Sequence, residues 1–192
     1  MLSTYKLNKI EKNLEYFYNE SLKDERNNGI NWYKDANNFC KDLSSKYNLD
    51  TQVIASVLSA LSPRNKWEQN KKDTIKVIEA HLNNVSPEDV KVCTFHTNKF
   101  KAFDILKGAK VIEYKSRKTY SFVMNVGKLD YEFVTVDVWH LRACFDKMII
   151  KKSVTPLEYD QIVEVTKNVA KKYGLKGFEF QAIVWEQIRN NF

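Results

Sequence analysis

Two segments of this 192-residue chain carry side chains that could do chemistry together. One is Arg117-Lys118-Thr119. The other is Val134-Thr135-Val136-Asp137-Val138-Trp139-His140-Leu141-Arg142. They set a lysine and an aspartate nineteen positions apart, and the aspartate opens a helix behind an apolar run. An amine attacks carbon only when unprotonated, so a catalytic Lys118 needs its pKa brought down from ~10.4 by burial or neighbouring cations. Lys115 and Arg117 push in that direction; the competing reading is one more solvated lysine. Asp137 sits in apolar company and suits a helix N-cap, which accepts backbone donors. Capping and catalysis are compatible, because a helix N-terminus favours negative charge. His140, one turn on, shares a face with Asp137 and could touch a substrate beside it; a structural histidine is the alternative.

A third segment runs from Leu61 to Lys72. An apolar helix ends at Ser62-Pro63, a loop carries Arg64, Lys66 and Trp67, and a new helix begins with Asn70, Lys71 and Lys72. Basic groups with an interleaved aromatic suit phosphate contacts and base stacking. The alternative is a surface turn with Trp67 packed inward. Gln181-Ala182-Ile183-Val184-Trp185-Glu186 reads as core with polar edges. His81, His96 and His140 are not at metal-ligand spacing, and neither a Gly-rich phosphate loop nor a Gly-x-Ser-x-Gly elbow occurs. The sequence therefore predicts neither a metal nor another cofactor.

These segments need a scaffold, and the periodicity that supplies it is helical nearly throughout. The spacing predicts helices over about 7–25, ending at Asn27-Asn28-Gly29, and over 31–47. Asp50 caps a third helix, apolar almost all round and thus central, which stops at Ser62-Pro63. Further helices are predicted from about Lys66 to Leu82, Asn98 to Leu106, 116 to 126, and Asp137 to about Lys147, with a short turn at Ser86–Asp89. Thr155-Pro156-Leu157-Glu158 is a capping box opening a helix over 156–173, which Gly174 ends before a last one from Phe178 to Arg189. The expected fold is all-α: one compact, two-lobed helical domain in which residues 1–48 pack on a 50–146 core and 155–192 add a helix pair.

Composition agrees with a globular chain: 43% hydrophobic and 29% charged residues, with five glycines and three prolines, leave little room for flexible linkers. Lys and Arg number 31 against 24 Asp and Glu, a formal +7 that favours phosphate-bearing partners such as DNA. No stretch approaches membrane-spanning length, so a cytoplasmic protein without a membrane partner is expected; the sequence leaves the oligomeric state open, with a monomer favoured. Cys40, Cys93 and Cys144 are odd in number and widely spaced, and read as buried free thiols.

Taken in order, the segments resemble the helix-hairpin-helix DNA glycosylase superfamily of the endonuclease-III type. Val57-Leu58-Ser59-Ala60 with Asn70-Lys71, Asn98-Lys99 with Lys101-Ala102 and Ile105, Arg117-Lys118-Thr119, and Val136-Asp137 with His140 and Arg142 look like that family's motifs over about residues 50–146. The resemblance implies that Lys118 attacks the sugar C1′, that Asp137 supports loss of the base, and that the Leu61–Lys66 loop fills the gap left by a flipped nucleotide. The family's glycine hairpin before the lysine is replaced by Ile112-Glu113-Tyr114-Lys115-Ser116, its iron–sulfur cysteines are absent, and the histidine lies three rather than two residues after the aspartate.

The whole chain looks closer still to small phage proteins of this superfamily, by Trp32-Tyr33 with Ala36, Ala60 to Asn70, Val136-Asp137-Val138-Trp139 and Gln181 to Glu186. Relatives of those proteins are linked to thymine hypermodification as glutamyl- or putrescinyl-thymine pyrophosphorylase-like enzymes. The resemblance thus implies an enzyme acting on a flipped nucleotide in DNA, with Asp137 and Lys118 catalytic. Arg64, Lys66, Trp67, Asn70, Lys71, Arg117, Trp139, His140 and Gln181 would bind nucleic acid or substrate. Two other readings stay open: a base-hypermodification transferase on activated hydroxymethyluracil, and a non-catalytic DNA-binding or host-takeover module on a decayed glycosylase fold.

Overall fold

A computed structural model describes residues 1–145 and 153–191. Among these the protein is all-α, as expected, with nine α-helices, one 3-10 turn and no strand. The helices are α1 (Thr4–Glu20), α2 (Lys23–Tyr47), α3 (Thr51–Leu61), α4 (Trp67–Leu82), α5 (His96–Leu106), α6 (Arg117–Lys128), α7 (Val138–Phe145), α8 (Pro156–Lys172) and α9 (Gly177–Asn190). The predicted end of α7 near Lys147, and the last residue of the expected 50–146 core, lie outside the described residues.

The first helix boundary differs from expectation. Asn27-Asn28-Gly29 does not break the chain but lies inside α2, and the break falls at Ser21-Leu22. Side chains make that earlier break. Arg26 donates to Ser21 Oγ (2.9 Å) and to the Tyr18 carbonyl (3.1 Å), closing α1, while Glu25 accepts the Leu22 N–H (2.8 Å) at the start of α2. The glycine serves a different need, for a Cβ at Gly29 would lie 2.5 Å from the Cα and N of Ile183, so backbones meet there.

The chain forms two compact units: residues 1–36 with 129–192, and residues 37–128. The boundary between them falls inside α2. In the first unit α1 touches α7, α8 and α9. Its core holds Ile10, Leu14, Val134, Ile162, Phe180 and Ile188, all 0–1% exposed. Each such side chain contributes about 1.5–3 kcal/mol on burial. The Thr155–Glu158 capping box is present, and Gly174 ends α8 at φ 68°.

In the second unit α3 is the hub, touching α4, α5 and α6. Its capping by Asp50, which accepts the Gln52 N–H at 2.7 Å, and its burial on nearly every side match the sequence reading. Asn37 Nδ2 donates to the carbonyls of Val126 (2.7 Å) and Gly127 (3.1 Å), satisfying acceptors at the end of α6. Cys40 and Cys144 are buried free thiols. Cys93 is free but exposed, a correction that follows from its place in the connection before α5.

Candidate functional site

The first unit builds a polar centre around the extended residues 133–137. Tyr159 of α8 fastens this segment: its hydroxyl accepts the Val136 N–H at 3.1 Å and donates to the Val134 carbonyl at 2.9 Å. An extended stretch without a neighbouring strand has backbone groups to satisfy, and one phenol satisfies two. Asp137 follows directly. Its Oδ1 accepts the His140 N–H at 2.8 Å and its carbonyl accepts the Leu141 N–H at 2.9 Å, so it caps α7 as its spacing predicts. The residue is half-buried.

Tyr33 of α2 belongs to the same centre. Burial pushes its phenol above the usual tyrosine range, a hydrogen bond from Thr135 opposes this, and the Asp137 carboxylate and Tyr159 raise it further. The phenol is therefore neutral, and Asp137 lies within electrostatic reach of it. Tyr33 Oη donates to Gln181 Oε1 at 2.8 Å, tying α2 to α9.

The other two expected contact residues of this unit turn inward. His140 is completely buried, with Nε2 2.9 Å from Thr166 Oγ1. The Thr166 hydroxyl donates to the Ile162 carbonyl at 2.8 Å, so its hydrogen is committed and the His140 proton is assigned to Nε2. Burial pushes this imidazole down to about 3, which keeps it neutral. Trp139 packs partly against the same core, with the Arg142 guanidinium 4.4 Å from its ring centroid.

The second unit presents the basic segments. Arg64 is exposed, adopts φ 57° in the turn after α3, and stands 5.1 Å from the Phe95 ring. Lys66 is exposed. Trp67 is half-buried, edge-on to Phe39 at 6.5 Å, and Lys71 Nζ lies 5.7 Å from its ring while pairing with Glu68 at 2.9 Å. Asn70 is buried and donates to the Leu58 carbonyl at 3.1 Å, so this side of its amide joins α4 to α3. Arg117 lies 4.7 Å from the Tyr114 ring, and Lys118 is exposed on the first turn of α6. Half-buried Lys101 sits where an ammonium is disfavoured, its pKa lowered by burial first and by Lys110 second.

Lys118 and Asp137 thus belong to different units, each with its own surroundings. So do the two groups of expected contacts: Trp139, His140 and Gln181 with Asp137, and Arg64, Lys66, Trp67, Asn70, Lys71 and Arg117 with Lys118.

Three residues with positioning roles carried no readable signal. Tyr159 and Thr135 sit in patterns that read as ordinary helix and extended chain. Asp73 occupies a polar-looking position of α4 yet is fully buried, accepting from Asn65 (2.9 Å), Gln69 (2.8 Å) and the Cys93 N–H (2.8 Å). It fixes the loop that carries Arg64 and Lys66.

Charge divides the units sharply. Residues 37–128 hold 16 Lys and Arg against 9 Asp and Glu, which accounts for the whole formal +7; the remaining residues balance at 15 against 15. Among the described residues no cluster of three or more His, Cys, Asp or Glu could hold a metal, and no helix is long and apolar enough to cross a membrane.

No curated protein and no solved structure matches the chain. A family described as "Family of unknown function (DUF7178)" matches residues 1–192, and the chain belongs to it.

Proposed function

We propose that this protein acts on a base in DNA, with residues 37–128 engaging phosphates and Asp137 serving the chemistry. The observation that carries this reading is the setting of Asp137: half-buried, capping α7, and delivered by a segment that Tyr159 holds at two backbone groups. Such a carboxylate is preorganised to meet positive charge, and preorganised charge is the largest single contribution in many enzymes. The confinement of the net charge to the unit bearing Arg64, Lys66, Lys71 and Arg117 supports a polyanionic partner.

In the glycosylase form of this reading the C1′–N bond of an extruded nucleotide breaks, and its electron pair leaves with the base. Asp137 stabilises the cationic sugar, and a water adds to C1′ and gives up a proton. The exposure of Lys118 favours water over an amine as the nucleophile. A second, non-catalytic reading as a DNA-binding module is favoured by one observation: Ile112-Glu113-Tyr114-Lys115-Ser116 stands where a glycine hairpin would grip a phosphate, and Glu113 and Lys115 there are exposed.

The test is incubation with DNA duplexes holding single modified or damaged bases, followed by mass spectrometry of bases and nucleosides. The expected product is a free base, with the rate falling by about a hundredfold or more in Asp137→Asn while DNA affinity holds. An altered nucleoside with its glycosidic bond intact would instead establish the hypermodification transferase. Binding without any product would establish the non-catalytic module and remove the enzyme reading.

A further inference from the structure

Between α5 and α6 the chain turns at Glu113–Ser116, where the Glu113 carbonyl accepts the Ser116 N–H at 2.9 Å. Tyr114 and Lys115 are the two central residues of this turn, and both are exposed. Ile112, just before it, is buried and anchors the segment to its unit.

The Tyr114 ring is braced. The Arg117 guanidinium stands 4.7 Å from its centroid, and the Tyr120 ring meets it edge-on at 5.5 Å and 85°. Arg117 and Tyr120 lie three residues apart at the start of α6, so one helical turn fixes both partners. With these contacts made, 46% of Tyr114 remains open to solvent. A ring already held in one place loses little freedom when another flat group lies against it.

The charge around it is concentrated. Residues 107–118 carry five Lys and Arg against one carboxylate, Glu113, and so supply four of the seven formal net charges. Lys107, Lys110, Lys115 and Lys118 are all exposed. Cations alone suit the phosphates of a duplex, whose bases are stacked inside it. A braced aromatic among cations suits a strand whose bases are unpaired, because it offers a surface to the base as well as to the phosphate.

We propose that Tyr114 is a stacking station for an unpaired base, through which residues 107–118 hold single-stranded DNA. This inference rests on the reading of residues 37–128 as the part that engages DNA, and adds the form of DNA that its α5–α6 connection takes.

Anisotropy titrations with three fluorescein-labelled probes of equal length test it. One is a pyrimidine strand that cannot pair with itself, one is a strand of tetrahydrofuran abasic units, and one is the pyrimidine strand paired with its complement. The native protein is expected to bind the pyrimidine strand about tenfold tighter than the abasic strand, the effect of one stacked base. Tyr114→Ala removes about tenfold from the pyrimidine strand and leaves the abasic strand and the duplex within about twofold. Tyr114→Phe keeps the ring and the preference. Arg117→Lys keeps the charge, loses the flat brace and narrows the preference. The abasic strand doubles as the check on folding; if Tyr114→Ala does not fold, an unchanged preference in Arg117→Lys overturns the inference. It is overturned equally if the native protein does not distinguish bases from abasic units, or if Tyr114→Ala weakens the duplex as much as the single strand. Those outcomes leave the DNA reading of the unit standing. Binding to none of the three probes at physiological salt would remove that reading, and the inference with it.

Discussion

The two units solve opposite problems with polar residues. Residues 1–36 and 129–192 are charge-balanced, and their notable polar groups are internal: Tyr33, Thr135, His140 and Gln181 are all buried, and each makes at least one hydrogen bond. Residues 37–128 carry the entire net charge, and most of their basic groups face solvent. Buried polar groups must be satisfied to be tolerated, and once satisfied they hold one geometry. Surface cations need no fixed partner, and act together through their summed field. The first arrangement suits recognition and chemistry at a point, and the second suits holding an extended anion.

Under the proposed function, that contrast predicts which unit carries the affinity for DNA. Replacing Arg64, Lys66 and Arg117 together with alanine is expected to weaken binding by about a hundredfold at physiological salt. The same change flattens the dependence of log K on log salt by almost one for each phosphate no longer neutralised. The matching change in the balanced unit, Lys6, Lys9 and Lys12 to alanine on the exposed part of α1, is expected to leave affinity within about twofold. Titrations at several salt concentrations measure both. Equal losses from the two triple variants would break the comparison.

A smaller effect sharpens it from the other side. The His140 imidazole stands at about 3 in the folded protein against 6.5 for the free group, so between these values the unfolded chain binds a proton that the folded one refuses. Stability from this residue is intact above pH 6.5 and is lost as pH falls toward 3, at up to about 1.4 kcal/mol per unit. By pH 5 the loss is about 2 kcal/mol. His140→Gln, whose amide can still donate to Thr166, is expected to flatten the acid limb of urea midpoints against pH. An acid limb identical in the two proteins would remove the buried neutral histidine from the account.

The scaffold was legible in the sequence where one local cause decides an element. Asp50, Ser62-Pro63, the Thr155 capping box and Gly174 each set a helix end through their own backbone or side-chain chemistry, and each end falls where expected. It was illegible where a distant contact decides. Asn27-Asn28-Gly29 has the composition of a turn, but Gly29 answers to Ile183 on a helix more than 150 residues away, and the break is set earlier by local side-chain contacts of Glu25 and Arg26 that composition does not show. The centre around Asp137 divides the same way. Capping follows from the sequence itself, whereas Tyr159 reaches its backbone partners from over twenty positions downstream. Asp73 reads as surface because helical spacing cannot reveal that Asn65, Gln69 and the Cys93 amide enclose it.

The cysteines offer the finest probe, because they sample both units. Cys93 is exposed, in the basic unit; Cys40 is buried in that same unit, and Cys144 in the balanced one. Burial pushes the Cys40 thiol up from 9.0 to about 12, and raises Cys144 as well. The reactive species is the thiolate, so a shift of that size lowers its fraction at pH 8 by about a thousandfold, apart from any steric shielding. An aromatic disulfide reagent is therefore expected to take one thiol in the native protein and all three in denaturant, with peptide mass spectrometry placing the first label on Cys93. Labelling the other two at rising urea then reports each interior separately. If Cys40 labels as fast as Cys93 without denaturant, the basic unit lacks the closed interior that its exposed cations require as a support.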